Sequence, residues 1–310
     1  MEDNILVTVR VLTYNSSKTV QETLDSIYSQ TYQNIELIVS DDASSDNTVE
    51  IVKQWLTDKG NRFVTIQLLT VKDNTGTSAN INRTLAVTNV KWIKGVGADD
   101  ILFPDAIEKF VSFAKKNPTA KWIYAKAKCY KQCFSDDNLF IAFPNLDNRL
   151  NILNQLNSEE QLKFMYFHYL FLYPTPFISK ELYMAVGGCD EEFRNLDDYP
   201  LWFKFYRFGE KCFFMDEFVM GYRFTDRNLS VNLKTILNKE LVKEDYNMKK
   251  KYMFDICPMS VRIDATLKYG VYRIFSIPVI NNRPTLFLPI FRFVMRLILF
   301  PKKIWSKITN

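Results

Sequence analysis

Apolar and polar positions alternate along the first 115 residues in blocks that predict strands and helices in turn. Residues 5–12 form an apolar, β-branched run that is typical of a buried strand. Residues 19–30 follow it with apolar side chains at helical spacing. The same patterns predict strands at residues 35–40, 63–69 and 92–96 and helices at residues 48–56, 78–87 and 104–115. This alternation favours an α/β, Rossmann-like fold with a mostly parallel sheet flanked by helices.

The second half of the chain has a less regular pattern. Residues 122–130 predict one more strand, and the polar, turn-rich residues 136–157 predict a mobile connection or lid. Helical spacing predicts helices at residues 158–173, 180–186 and 195–208.

Short polar clusters follow three of the predicted strands, at the point where each strand ends. The clusters are Thr13-Tyr14-Asn15, Asp41-Asp42 and Gly97-Ala98-Asp99-Asp100. In open α/β sheets, ligands bind outside the carboxyl ends of the strands. The sequence therefore predicts a binding site at this edge of the sheet.

Asp99 and Asp100 are adjacent carboxylates at a strand end, with little positive charge nearby in the sequence. Such a pair is costly to hold unless a cation joins it. A divalent ion such as Mg²⁺ or Mn²⁺ takes a few carboxylates together with substrate phosphates. The alternative is an acidic cap for the helix that begins near Pro104.

Two other acidic pairs each have a functional and a purely structural interpretation. Asp41 and Asp42 form either an acidic turn or an acceptor for the imino group of a nucleobase. Asp197 and Asp198 precede a helix, where they act either as a cap or as a general base toward an acceptor hydroxyl.

Composition narrows the class of protein. A chain of 310 residues with 47% hydrophobic and 24% charged residues is globular, with room for one large domain and an appendage or for two modest domains. His168 is the single histidine and lies in an aromatic run, so we expect it to pack rather than to catalyse. There is no nucleophile-elbow, dinucleotide or P-loop motif, which disfavours hydrolase, dehydrogenase and P-loop functions.

The cysteines and the first residues indicate where the protein works. The five cysteines are scattered and form no CxxC pair, so neither a disulfide framework nor a zinc site is indicated. The acidic start has no basic segment followed by a long apolar one, and we expect no signal peptide and synthesis in the cytosol.

The distribution of charge along the chain is more informative about partners than the net charge of +5. From Arg262 onward the chain has nine basic residues and one acidic residue, or +8, so the remainder carries −3. An acidic body with a basic, apolar tail favours an anionic membrane surface as partner, not nucleic acid. Arg292 and Arg296 share one helical face within apolar residues 286–303, which suits a helix lying in the membrane interface. The alternative is an ordinary helix packed on the domain.

Several segments, in this order, resemble the family 2 glycosyltransferases of the GT-A fold. Residues 9–15 (VRVLTYN), 24–32 and 36–48 resemble the opening of that family. Residues 97–100 (GADD) match its DxD-type metal motif. Residues 187–193 (GGCDEEF) and 195–202 (NLDDYPLW) resemble its GGFDEEF and ED-x-x-LW segments. The resemblance covers residues 5–230 approximately.

The resemblance implies roles for individual residues of the donor site. Thr13, Tyr14 and Asn15 belong to the donor-binding opening, with Tyr14 flanking the nucleobase. Asp42 hydrogen-bonds the uracil edge, and Asp41 supports the turn. The segment 74–82 passes near the ribose, which makes Asn82 and Arg83 weaker candidates.

It also implies the catalytic and metal-binding residues. Asp99 and Asp100 hold a divalent metal, Mn²⁺ or Mg²⁺, that bridges the diphosphate. Asp198 is the base, with Asp197 beside it. Trp202 lines the wall behind the base, or has a structural role, and Arg223 lies near the phosphates.

Two positions depart from the family pattern. Gly97 stands where many members have the first aspartate of the metal motif. Thr225 stands where many have a histidine after Tyr-Arg. These departures weaken a secondary contact and a third metal ligand, but do not affect the base.

On this resemblance we expect an inverting glycosyltransferase that moves a hexose from a UDP-sugar to a saccharide acceptor. We expect that acceptor to be a polyprenyl-diphosphate-linked glycan of surface polysaccharide synthesis, such as O-antigen or capsule, at the inner face of the cell membrane. The expected divisions are a nucleotide-sugar half at residues 1–105, an acceptor half at 106–230 and a helical, membrane-associating region at 231–310. The alternatives are a nucleotidyltransferase on a related sheet and an inactive, glycosyltransferase-like binding protein.

Overall fold

The computed structural model describes residues 5–142, 152–166, 174–224 and 235–295. The chain divides into two compact units, residues 1–224 and residues 225–310. His168, Thr225, Arg296 and part of the expected lid lie outside the described residues.

The first unit begins with four parallel strands whose residues are mostly apolar and β-branched. They are β1 (Val7–Thr13), β2 (Ile35–Asp41), β3 (Thr65–Thr70) and β4 (Trp92–Gly97), in the spatial order β3-β2-β1-β4. The helices between them are α1 (Val20–Tyr28), α2 (Thr48–Lys59) and α3 (Thr77–Val87). The register pairs Thr13 of β1 with Asp41 of β2 and Leu12 with Gly97 of β4. The three polar clusters therefore lie at one edge of the sheet.

The rest of the first unit extends this sheet with strands of both directions. In chain order its elements are β5 (Ile101–Leu102), α4 (Ala106–Lys116), β6 (Trp122–Lys131), β7 (Leu139–Ala142), α5 (Ser158–Met165), β8 (Phe177–Ser179), α6 (Lys180–Ala185), α7 (Asp198–Arg207) and β9 (Phe213–Phe224). The sheet continues from β4 as β8-β6-β9-β5, and β7 pairs with β6. β8 is antiparallel to both of its neighbours, whereas β9 is parallel to β6. The sheet is therefore mixed. Strands β1–β4 are all parallel, whereas the later strands pair in both directions.

Apolar side chains of the sheet form the core together with buried residues of α1, α2 and α4. Val7, Val9 and Val11 of β1 are fully buried there. The Phe177 ring stacks between Trp92, at 4.7 Å, and Phe110 of α4, at 4.9 Å between ring centroids. This core fixes the strands whose ends carry the acidic clusters.

The second unit is helical in the part that the structure describes. It contains α8 (Lys239–Tyr252), α9 (Met259–Phe275), the short α10 (Pro278–Asn281) and a last helix, residues 284–295. The Tyr246 ring of α8 stacks on Tyr269 of α9 at 4.0 Å, and the Asn281 side chain bonds both backbone groups of Leu237. Among the described residues, no helix combines the length and the apolar character that crossing a bilayer requires.

One tertiary contact joins α3 to the loop that precedes α7. The Asn82 amide donates to the Cys189 carbonyl oxygen (3.0 Å) and accepts from the Cys189 N–H (2.8 Å). Gly188, with φ +69°, lies against this amide, and a Cβ there would come within 2.6 Å of Asn82 Oδ1. At Gly187, with φ +72°, an added Cβ would meet no atom within 4 Å.

We expect Gly188→Ala to destabilise the protein more than Gly187→Ala does. Both changes place a side chain in a left-handed conformation, which costs about 1–2 kcal/mol. Only Gly188→Ala also displaces Asn82 and its hydrogen bonds, for a total loss of about 2–4 kcal/mol in the free energy of unfolding. Urea denaturation measures both variants, and equal losses would contradict the role given to Asn82.

Candidate active site

Asp41 braces the turn between β2 and α2. Thr13 Oγ1 donates to Asp41 Oδ2 (2.7 Å), and the Ser44 N–H and hydroxyl donate to the same carboxylate at 2.8 and 2.5 Å. Ala43 takes a left-handed conformation (φ +65°) within this turn. Asp41 thus forms an acidic turn, and any direct contact between Asp41 and a nucleotide stays a prediction.

Asn15 ties the end of β1 to the same turn. Its N–H donates to the Ser44 hydroxyl (2.8 Å), and its side-chain oxygen accepts from the Ser45 N–H (2.8 Å). Tyr14, between Thr13 and Asn15, has a side chain that is 53% exposed. An exposed ring held between two anchored residues is available to stack on a planar ligand.

Asp42 is buried and held by four donors. The Thr75 and Gly76 N–H groups donate to Oδ2 at 3.0 and 2.8 Å. The Thr75 hydroxyl and the Arg83 guanidinium donate to Oδ1 at 2.5 and 3.2 Å. Burial alone would raise the pKa of Asp42, but these hydrogen bonds outweigh it and lower the pKa. Asp42 is therefore an anion that the residues just before α3 hold in place through hydrogen bonds.

Asn82 and Arg83, both predicted near the ribose, point to different neighbours. The Asn82 side chain bonds Cys189 and Glu191, toward the loop before α7. Arg83 donates to Asp42, Thr75 and Asn80. Arg83 therefore shares the Asp42 cluster, and Asn82 joins α3 to the loop before α7.

Asp99 and Asp100 follow β4 and differ in exposure. Asp100 is almost fully buried, and the Arg223 N–H donates to its Oδ1 (2.8 Å), whereas Asp99 is partly exposed. Burial, with the charge of Asp99 added, raises the pKa of Asp100 well above its usual value, and burial raises that of Asp99. The helix α4 begins at Ala106 with Asp105 as its cap residue, so neither carboxylate is the expected helix cap.

Gly97 lies directly beside this pair of carboxylates. A Cβ at Gly97 would come within 2.9 Å of Asp99 Oδ1 and 3.6 Å of Asp100 Oδ2. The two carboxylates thus occupy the space into which a side chain at position 97 would extend. Glycine at this position, where many family members have an aspartate, therefore avoids a close contact with these two carboxylates.

Arg223 braces the metal-motif turn from β9. Its Nε donates to the Asp99 carbonyl oxygen (2.8 Å), and its guanidinium also pairs with Glu22 and bonds the Gln132 carbonyl oxygen. The guanidinium lies 4.3 Å from the centre of the Phe134 ring. Contact between Arg223 and phosphates stays a prediction, since its main observed role is to hold Asp99 and Asp100 in place.

Asp197 and Asp198 stand at the start of α7 and are partly exposed. Asp197 is the cap residue, but its side chain makes no capping hydrogen bond. The Tyr199 N–H donates to Asp198 Oδ1 (2.6 Å). Burial, followed by the charge of Asp197, raises the pKa of Asp198 to about 7. A carboxylate with that pKa is suited to accept a proton near neutral pH.

Two cations inside apolar strands were not anticipated from the sequence. Arg10 of β1 is 5% exposed, donates to the Tyr183 hydroxyl (2.8 Å), and opposes the rise that burial causes in the pKa of Asp197. Lys94 of β4 is fully buried, and its Nζ donates to the carbonyl oxygens of Gly95 and Pro174. A charged residue within a buried strand is the signal that could have identified both, because such residues are rarely buried without a partner.

Trp202 packs within the protein against β6. Its ring stacks on Trp122 of β6 at 4.8 Å and is 5% exposed. The side chain holds α7 against the sheet, which is the structural alternative considered for it. A lining role toward a ligand stays a prediction.

A surface cavity of about 420 Å³ lies beside the β2–α2 turn. Its lining includes Asp41, Asp46, Lys53 and Thr70, but not Asp42, Asp99 or Asp198. We place the chemistry at Asp99, Asp100 and Asp198 and not in this cavity, because the acids with raised pKa values do not line it.

Comparison with known proteins shows the family of the chain. Residues 8–173, more than half of the chain, match the family described as Glycosyl transferase family 2. The chain belongs to glycosyl transferase family 2. An uncharacterized glycosyltransferase of Rickettsia prowazekii (strain Madrid E) is 27% identical over 218 residues, which are 67% of this chain and 61% of that relative. The family 2 chain therefore spans less than two thirds of that relative's length.

Solved structures share the fold of the family 2 chain. S. aureus TarS 1-349, in complex with UDP-GlcNAc, has a TM-score of 0.62 and 16% identity, covering 91% of this chain and 76% of TarS. The mannosyltransferase PcManGT of Pyrobaculum calidifontis, in complex with GDP-Man and Mn²⁺, has a TM-score of 0.61 and 18% identity, covering 98% and 84%. The expected GT-A fold is thereby confirmed, with helices after the sheet.

The residues at the end of β4 fit a divalent ion that also binds phosphate oxygens. Within the described ranges, no group of three or more histidine, cysteine or acidic side chains could hold a metal by itself. Asp99 and Asp100 nevertheless offer two hard oxygen donors on the same side of the turn, since a Cβ at Gly97 would lie within 2.9 Å of Asp99 Oδ1 and 3.6 Å of Asp100 Oδ2. Mg²⁺ characteristically uses one or two carboxylates plus substrate phosphates.

Arg10 generates a prediction about the acidic pair of α7. Replacing Arg10 with Gln removes a positive charge, so we expect the pKa of Asp197 to rise. Because Asp197 then stays neutral over a wider pH range, its repulsion of Asp198 weakens and the pKa of Asp198 falls. Arg10→Lys keeps the charge and should shift both values less.

Carbon-13 NMR of aspartate-labelled protein measures the two titrations, with Asp197→Asn and Asp198→Asn to assign the signals. Unchanged titration of both carboxyls in Arg10→Gln, in a protein with native circular dichroism, would show that Arg10 does not act on this pair.

Proposed function

We propose that the protein is an inverting, metal-dependent glycosyltransferase that moves a hexose from a UDP-sugar to a saccharide acceptor. The observation that carries the proposal is that Asp42, Asp99 and Asp100 lie at the carboxyl edge of the sheet of a family 2 domain, which also has an acidic pair at the start of α7. Asp42 is held as an anion, Asp99 and Asp100 form a pair suited to a cation, and Asp198 has a pKa of about 7. We assign these acids three different chemical tasks.

The donor nucleotide fits the end of β1 and β2. Asp42, fixed by Thr75 and Gly76, accepts a hydrogen bond from the uracil imino group, and Tyr14 flanks the base. The complex of TarS with UDP-GlcNAc supports a UDP-sugar as donor class. Arg83, paired with Asp42, lies close enough to that carboxylate to influence how the base is held.

Asp99 and Asp100 would hold Mn²⁺ or Mg²⁺ at the diphosphate. Asp99 is the more accessible ligand, because Asp100 is buried and accepts from the Arg223 N–H. When bound, the ion neutralises charge on the departing UDP. The complex of PcManGT with Mn²⁺ supports this choice of metal.

Asp198 is the general base. It accepts the proton of the acceptor hydroxyl as that oxygen forms a bond to the anomeric carbon. The bond from that carbon to the diphosphate breaks, and its electron pair leaves with UDP. Attack from the face opposite to UDP inverts the anomeric configuration. Asp197, beside Asp198 and facing the charge of Arg10, raises the basicity of Asp198.

We propose a polyprenyl-diphosphate-linked glycan as acceptor, at the inner face of the cell membrane, in surface polysaccharide synthesis such as O-antigen or capsule. The basic, apolar composition after Arg262 supports a peripheral location on anionic lipid. A lipid-linked acceptor is reached most readily by an enzyme that is held at the membrane surface.

We expect Asp198→Asn to lower sugar transfer by at least about 10²-fold, because a general base contributes roughly 10²–10⁴-fold. UDP binding should be retained, since Asp198 acts on the acceptor. The assay is UDP release from a panel of UDP-sugars with Mn²⁺ and a saccharide acceptor. In the wild-type protein the rate should fall as pH drops through about 7, because Asp198 then carries a proton.

The control is Asp58→Asn, an exposed carboxylate on α2 that bonds only Gln54 among the described residues. It should leave turnover unchanged. Full activity of Asp198→Asn would remove the assigned base. Release of pyrophosphate from a nucleoside triphosphate would favour a nucleotidyltransferase, and absence of both UDP release and UDP binding would favour an inactive binding protein.

A further inference from the structure

Helix α9 has an inner face that packs within the second unit. Val261 and Ala265 are buried, and Tyr269 stacks on Tyr246 of α8. Tyr272 and Phe275 contact Phe291 of the last helix, with ring centroids 5.9 and 5.1 Å apart. The helix therefore already has the apolar contacts that hold it in its unit.

The outer face of α9 is also apolar, although it faces solvent. Met259, Ile263, Leu267 and Ile274 are 53–64% exposed. At about 100° per residue they fall within an arc of about 80°. A helix that is apolar on both faces is normally covered on both faces. We call this row of four residues the α9 stripe.

The last helix, residues 284–295, repeats the pattern. Leu286, Ile290 and Phe293 are 49–62% exposed and fall within an arc of about 60°. Across the described residues, ten of the seventeen exposed large apolar side chains lie between residues 256 and 293. Exposed apolar surface is thus concentrated in this part of the second unit and is not scattered over the protein.

The net charge around the α9 stripe and the last helix is positive. Residues 259–295 contain five basic residues and one acidic residue, Asp264, a net +4. Asp264 is paired with Lys268 at 2.8 Å. Arg262 and Arg273 lie along one edge of the α9 stripe, about 60° and 40° from Met259 around the helix. An apolar row edged by cations matches the boundary between acyl chains and anionic head groups.

We propose that the α9 stripe, together with the exposed residues Leu286, Ile290 and Phe293, docks on an anionic lipid surface. This inference rests on the membrane location included in the proposed function and assigns it to a helix that the composition of the tail does not single out. The apolar side chains enter the interface, and Arg262 and Arg273 contact lipid phosphates.

Charge favours lipid over a second copy of the chain as the occupant. A two-fold dimer through the α9 stripe would place the same cations of two copies near one another. Like charges facing each other across an interface disfavour that contact. An anionic bilayer offers the opposite charge together with apolar surface.

The test is co-sedimentation of the full-length protein with phosphatidylcholine vesicles, with and without 30% phosphatidylglycerol (roughly one anionic lipid in three). We expect binding to the anionic vesicles and little binding to the neutral ones. The double variant Ile263→Gln/Leu267→Gln should bind at least about tenfold more weakly, because two large side chains lose their apolar burial. Arg273→Gln should bind about fivefold more weakly, with a smaller effect at high salt.

The matched control is Val64→Gln/Met184→Gln, which changes two apolar residues of similar exposure (54% and 58%) in the first unit. It should bind as the wild type does. Circular dichroism checks that each variant is folded, and sedimentation velocity reports the oligomeric state.

Three results would overturn the proposal. The first is wild-type protein that stays in solution with anionic vesicles, and the second is equal binding by the stripe and control variants. The third is a wild-type dimer that the stripe variant dissociates, which would identify a second copy as the occupant. Because neither sugar donor nor acceptor is present, failure here leaves UDP release as an independent test of transferase activity.

Discussion

Carboxylates gathered at one edge of a sheet repel one another, and much of the first unit serves to hold them there. Asp41 and Asp42 are stabilised by hydrogen-bond donors, from Thr13 and Ser44 in one case and from Thr75, Gly76 and Arg83 in the other. Asp100 accepts from the Arg223 backbone, and Asp197 lies in the field of Arg10. Burial still raises the pKa values of Asp99, Asp100 and Asp198. In the proposed function Asp99 and Asp100 hold a cation, and Asp198 accepts a proton.

The elements that hold the acids are far apart in the chain. Gly76 at the start of α3 meets Arg194, whose carbonyl accepts from the Thr77 N–H (3.1 Å). Asn82 holds the loop of Cys189, and Arg223 reaches the turn of Asp99 from the last strand. A nucleotide bound over Asp42 would therefore rest on the same framework that positions Asp198. Asn82, which has no direct chemical task in this proposal, contributes by holding the loop before α7 to α3.

The sequence was most informative where the pattern is local. Strands β1, β2 and β4 and helices α1–α3 begin and end within a few residues of their predicted bounds, because apolar periodicity and turn residues act over short ranges. Strand β9 was not predicted, since Phe213–Phe224 lacks strict alternation and acquires its strand form by pairing with β6. The antiparallel β8 has only three residues, too few to give a pattern. The acidic clusters could be recognised, but the cations Arg10 and Lys94 could not be connected to them without tertiary contacts.

The central claim is that Asp99 and Asp100 take part in nucleotide binding through a shared cation. Calorimetric titration of UDP into the wild-type protein and into Asp99→Asn, with and without Mn²⁺, tests it most directly. We expect Mn²⁺ to strengthen UDP binding by at least about tenfold in the wild type, a typical coupling between two ligands, and Asp99→Asn to lose most of that gain. Equal UDP affinity in the wild type with and without Mn²⁺ would contradict the claim.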